Sequence, residues 1–156
     1  MVDPGASGAY VVRKTDGRIV HVGAYCSPAD VVESLGWLRS ADRHDRGDVF
    51  AVVERVWGSP VMGVAAAFAF GQNYGFWLGA LRAAAVKTYT VTPQVWQRVA
   101  APSVALKGAD RKRALKELAT RRHPDRRPTL ATADALLLSD YVIAQHAAGK
   151  SFGELA

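Results

Sequence analysis

A single α/β domain, with helices flanking a mixed sheet, is the architecture that this 156-residue chain predicts. Three observations predict it. Two β-rich stretches, Ala9 to Arg13 and Arg18 to Ala24, flank Thr15-Asp16-Gly17, and Asp-Gly is a strong hairpin turn signal. A short apolar run, Val49 to Val53, is bounded by Asp48 and ends in Glu54, the pattern of a buried strand with an acid at its end. Between and after these lie segments with helical caps and helical periodicity, so strands and helices alternate.

Taken in order, the hairpin is followed by a helix with Ser27 as N-cap and Pro28 at its first position, carrying Val31, Val32, Leu35 and Leu38 on one side. The polar stretch from Ser40 to Gly47 ends it, and the buried strand follows. Gly58-Ser59-Pro60 is the expected start of a long helix to about Ala85, and Lys87 to Val91 is a further strand. Thr92-Pro93 opens a short helix containing Trp96, which Ala100-Ala101-Pro102 breaks. Asp110 is the expected cap of a basic helix whose apolar side is Ala114, Leu115, Leu118 and Ala119. His123 to Pro128 is expected as a charged loop, and Thr129 or Thr132 caps a last helix to about Ala148. No internal repeat or domain linker interrupts this order, so residues 1–156 are expected to form one domain.

The long helix admits more than one environment. Val61 to Leu81 is 21 residues without a formal charge, interrupted by Gln72, Asn73 and Tyr74. A membrane span there would strand the chain's acids on opposite sides of a bilayer, so no membrane association is expected. Gly63, Ala67, Gly71, Gly75, Gly79 and Ala83 recur every four positions as a flat stripe. Such a stripe suits close packing on the sheet or a neighbouring helix, or the seam of a homodimer. Tyr74, Phe76, Trp77 and Trp96 are expected in the core or an interface.

Composition narrows the function. The single cysteine, Cys26, excludes an internal disulfide, and no Cys/His spacing suits zinc. A reducing, cytoplasmic setting is expected, because the N-terminus also lacks a secretory pattern. The net charge of +6 is concentrated in one place: between Lys107 and Arg127 nine basic residues face three acids, and the rest of the chain is neutral. This is the footprint of a polyanion contact. Lys107, Arg111, Lys112, Arg113, Lys116, Arg121 and Arg122 are the candidate phosphate ligands.

Three acids far apart in sequence carry the chemistry: Asp3 in Val2-Asp3-Pro4-Gly5, Glu54 at the end of its strand, and Asp134 early in the last helix. Carboxylates near a core are costly unless compensated, and a divalent cation with oxygen ligands compensates them. That arrangement, beside a polyanion-binding segment, is the pattern of a metal-dependent nuclease. Taken singly, Asp3 also reads as a turn residue and Asp134 as a capping acid. His21, His44 and His146 have no partner at ligand spacing and read as ordinary polar residues.

Five pieces in order carry a resemblance to a known family: Asp3-Pro4-Gly5 with Gly8-Ala9 and the hairpin; Val52-Val53-Glu54; Phe68-Ala69-Phe70-Gly71 with Tyr74-Gly75; Val91-Thr92-Pro93-Gln94 with Trp96; and Ala133-Asp134-Ala135-Leu136-Leu137. Together they resemble the RuvC-like Holliday junction resolvases of the ribonuclease H-like superfamily, in particular a short phage-type branch. The resemblance implies a ribonuclease H-like mixed sheet and a homodimer acting on branched DNA. It also implies two Mg²⁺ ions, or Mn²⁺, held by Asp3, Glu54 and Asp134 for phosphodiester hydrolysis. It places Trp57 where related resolvases carry an aromatic wedge at the crossover.

The chain departs from the family at two points. The family carries a fourth ligand three residues before the acid matching Asp134, where this chain has Ala131; Asp140, Asp125 and His123 are weak substitutes. Only Met1 and Val2 precede Asp3, where the family has a longer apolar lead-in, and a start upstream of Met1 is the expectation. A catalytically inert branched-DNA-binding protein of the same fold is the alternative. An actin-like phosphotransferase requires a second domain to close over its nucleotide, so no nucleotide cofactor is expected.

Overall fold

The computed structural model describes residues 1–5, 7–25, 27–40, 49–58, 62–101 and 108–150. A five-stranded mixed sheet forms from β1 (Val2–Asp3), β2 (Ala9–Arg13), β3 (Ile19–Ala24), β4 (Phe50–Glu54) and β5 (Lys87–Val91), in the order β3-β2-β1-β4-β5. β1, β2 and β3 pair antiparallel, whereas β1 with β4 and β4 with β5 are parallel. The helices are α1 (Pro28–Ser40), α2 (Val64–Ala83), α3 (Pro93–Ala100), α4 (Gly108–Arg122) and α5 (Ala133–Ala147), with a 3₁₀ turn at Pro124–Arg126. The expected α/β mixed sheet is the observed fold.

The hairpin turn forms as its sequence dictates. Gly17 takes φ 92°, and Asp16 Oδ1 accepts the Arg18 N–H at 2.8 Å. Strand periodicity then sorts β4 between two layers. Ala51 and Val53 pack with Val2, Val31, Leu35, Trp77 and Leu81 beneath α1 and α2. Val52, on the other face, packs with Val91, Trp96, Leu115, Leu118, Leu137 and Leu138 beneath α3, α4 and α5. A third cluster joins Ala9, Val11 and Ile19 of the hairpin to Ala135 and Leu136 of α5. Because Val52 faces α3–α5, Glu54, two residues on, faces the same layer.

Several local expectations are corrected. The long helix begins at Val64, and Ser59 and Pro60 lie outside the described residues, as do Cys26, His44, Asp48 and Lys107. The basic helix opens at Gly108, so Asp110 sits in its first turn, paired with Arg113 at 3.0 Å, and does not cap it. Val32 is exposed although Val31 and Leu35 are buried, because α1 buries only a narrow stripe. The segment after α4 is not wholly irregular, since Pro124–Arg126 closes a 3₁₀ turn.

The small-residue stripe of α2 lies largely exposed among the described residues. Among the described residues a Cβ built on Gly71, Gly75 or Gly79 meets nothing within 4 Å, and Val64 and Phe68 are exposed. The helix instead buries Trp77 and Leu81 against the sheet. No helix among the described residues is long and apolar enough to cross a membrane.

Candidate active site

Three distant segments converge at the carboxyl ends of the central strands. Val2 is in register with Val53 across the parallel β1–β4 pair, so Asp3 and Glu54, each one residue further, end neighbouring strands. Asp134 enters from the first turn of α5. Each of the three is only 8% exposed. Ligands in open α/β sheets bind at such strand ends.

The first acid is held by its own turn. The Gly5 N–H donates to Asp3 Oδ1 at 3.1 Å, and Gly8 N–H closes onto the Gly5 carbonyl at 2.9 Å. Gly8 must be glycine here, since a Cβ would lie 2.1 Å from the Asp3 carbonyl oxygen. Met1 extends the strand's pairing: its amino group donates to the Val11 carbonyl and its carbonyl accepts the Val11 N–H, each at 2.8 Å. Burial pushes that amino group down to about 5.

The electrostatics follow from crowding three acids in a dry place. Burial, then the Asp3 charge, pushes the Glu54 carboxyl up to about 8, against the opposing hydrogen bond from Trp96. Burial and the neighbouring Asp134 likewise raise Asp3. Lys112, from α4, lies 3.1 Å from Asp134 Oδ2. Burial works to lower its ammonium, but Asp134, Asp3 and Glu54 outweigh that and raise it. The other oxygen, Asp134 Oδ1, is buried and finds no hydrogen-bond partner among the described residues.

An orphaned carboxylate oxygen beside two further buried acids is a hard, anionic donor set that fits a divalent cation. Among the described residues, however, no three acids, histidines or cysteines stand close enough to share one ion as the side chains are placed. The carboxylates are near enough to repel one another, and Lys112 takes up one oxygen of Asp134.

Two contacts escaped the sequence reading. Trp96, expected in the core or an interface, is fully buried, and its indole N–H donates to Glu54 Oε1 at 2.7 Å. Lys112, expected on phosphate, pairs directly with Asp134. A tryptophan inside an apolar helix face carries no mark of the acid its N–H will meet, and nothing in a basic run says which cation turns inward.

The remaining candidates are spread around this centre. Trp57, three residues past Glu54, is 55% exposed. Arg113, Lys116, Arg121 and Arg122 are exposed along α4, and Arg111 is half-buried. Ala131 contributes no ligand, and its proposed substitutes are engaged elsewhere. Asp140 is bound by Arg13 at 2.6 Å and by His123 at 3.1 Å, and Asp125 pairs with Arg126 at 3.0 Å.

The five-stranded mixed sheet with its flanking helices is a ribonuclease H-like fold. No protein-family model matches the chain, and no curated protein matches it in sequence. Among solved structures it is similar to RuvC of Thermus thermophilus, determined in complex with Holliday junction substrate: the TM-score is 0.59 at 18% identity, covering 97% of this chain and 96% of that one. A second Thermus thermophilus RuvC structure gives a TM-score of 0.59 at 20% identity with the same coverage. The likeness is one of fold, spanning nearly the whole of both chains.

Proposed function

We propose that this chain is a structure-selective DNA endonuclease that resolves Holliday junctions or related branched DNA, of the phage-type RuvC-like branch, with residues 1–156 as one nuclease domain. The observation that carries the reading is the convergence of Asp3, Glu54 and Asp134, from three segments, into one buried and under-compensated acid cluster. A RuvC-like fold and a cationic α4 beside the cluster support it.

Asp3, Glu54 and Asp134 would hold the divalent cation, Mg²⁺ or Mn²⁺, as one or two ions. When bound, the metal supplies an activated water and charge stabilisation at the phosphate. The protein's own residues set up that chemistry. The Asp3 turn and the Trp96 N–H each fix one carboxylate oxygen, leaving the other for a ligand. Arg111, Arg113, Lys116, Arg121 and Arg122 position the backbone of branched DNA, with Trp57 as the aromatic element at the crossover. A homodimer, seamed by the exposed stripe and Phe68 of α2, provides paired sites for paired cuts.

A second reading is favoured by one observation: Lys112 already neutralises Asp134 and no three acids share an ion as placed. On that reading the chain binds branched DNA without cutting it. Cleavage of a labelled four-way junction with Mg²⁺ or Mn²⁺, beside Glu54→Gln and a linear duplex, separates the two. Junction-selective nicking that Glu54→Gln abolishes supports the nuclease; tight binding with no cutting in either metal supports the binding protein.

A further inference from the structure

The contact between Lys112 and Asp134 joins the two halves of the site, a cation of the basic helix and an acid of the carboxylate cluster. Its two ends differ in freedom. The Lys112 side chain is 52% exposed and can swing into solvent, whereas the Asp134 side chain is 11% exposed and fixed in the first turn of α5. Arg113 and Arg122 of the same helix instead reach Asp110 and Asp140, which lie outside the cluster.

A divalent cation and an ammonium group cannot both sit at contact distance on one buried carboxylate without strong like-charge repulsion. Lys112 takes only one oxygen of Asp134, and the other is buried without a partner among the described residues, so the cluster keeps an open donor for a dication even with Lys112 in place. When the dication arrives, Lys112 must leave Asp134, and α4 presents it to the same polyanion as its neighbours.

We propose that Lys112 is the resident counter-ion of this cluster, held on Asp134 in the metal-free protein and exchanged for the divalent cation on loading. The freed ammonium joins the phosphate-binding row of α4, so cation and DNA each favour the other's binding. The inference rests on the nuclease reading and adds to it a coupling between the two ligands. Such coupling is reciprocal: DNA that draws Lys112 outward tightens the cation site by the same factor that the cation tightens DNA.

The test is Mn²⁺ titration of the intact protein by calorimetry, without DNA, for wild type, Lys112→Met and Lys112→Arg, each checked for folding by circular dichroism. Lys112→Met is expected to bind Mn²⁺ about five-fold tighter or more, the lower range of typical coupling, and Lys112→Arg to stay near wild type. In a companion measurement, anisotropy of a labelled linear duplex with and without Mn²⁺ is expected to show tightening in wild type that Lys112→Met loses. Equal or weaker Mn²⁺ binding by a folded Lys112→Met overturns the counter-ion role while leaving the nuclease reading intact. If neither protein binds Mn²⁺, the metal-dependent reading falls and this inference with it.

Discussion

Helix α5 carries two acids that meet opposite fates. Asp134, in its first turn, joins Asp3 and Glu54 in a cluster with Lys112 as the cation directly bound to it, and one of its oxygens is left without a partner among the described residues. Asp140, under two turns further on, is served by Arg13 at 2.6 Å, His123 at 3.1 Å and Arg122 at 3.5 Å. Arg13 is itself fixed by Ser139 Oγ and the Gly17 carbonyl. The second cluster is electrostatically complete and ties the hairpin, α4 and α5 together. The first is incomplete, because a buried carboxylate oxygen is left without a partner among the described residues. The contrast teaches that burial alone does not single out a candidate functional acid; a missing partner does.

Substitution of Glu54 separates the two clusters most directly. Glu54→Gln is expected to lower junction cleavage by about 10³-fold or more, the scale of losing a group that stabilises transition-state charge, while Asp140→Asn leaves cleavage per folded molecule near wild type. A nicking assay on both variants checks it. Stability should show the reverse: Asp140→Ala strands Arg13 half-buried, and about 3 kcal/mol of stability should be lost, read from urea denaturation.

The pH response sharpens the contrast further. Glu54 titrates near 8 in the fold against an ordinary 4.5, so below pH 4.5 both folded and unfolded chains hold the proton. As pH rises the unfolded chain loses it first, and the associated stability falls away, gone once pH passes about 8. Asp3, raised by burial, acts in the same direction. In chelator, the melting temperature should therefore decline from pH 5.5 to pH 8.5, and Glu54→Gln should flatten that decline. An unchanged slope in the variant would place the titration elsewhere.

Smaller effects test the supports. Trp96→Phe removes the N–H on Glu54 and keeps most of the packing. It should lower cleavage about ten-fold while costing about 1 kcal/mol of stability, separable by measuring both. Lys116→Ala, on the exposed face of α4, should weaken DNA binding evenly across sequences and reduce the salt-dependence slope by about 0.9, measured by anisotropy over a salt series.

Much of the fold was legible because its signals are local. The Asp16-Gly17 turn needs only its own residues, and Ser27 caps α1 through an Asp30 N–H at 3.3 Å three residues on. The acid at the end of β4 announced a strand-end site because strand periodicity sends Val52 and Glu54 to one face. Asp3 and Asp134 were nameable for a similar reason, each sitting in a short segment of recognisable turn or helix-start chemistry.

What the chain could not announce is which side chains meet across long separations. Trp96 reaches Glu54 over 42 residues, Lys112 reaches Asp134 over 22, and Arg13 reaches Asp140 over 127. Propensity and periodicity act over a few residues, whereas these pairings depend on how α3, α4 and α5 settle on the sheet. The α2 stripe shows the same limit: its spacing predicts a flat face, but only packing decided that Trp77 and Leu81 turn inward and the glycines outward. The sequence by itself thus determined the elements, the acids and the location of the positive charge. Tertiary structure alone decided which acid is satisfied and which is left short of a cation, because that balance is a property of neighbours in space.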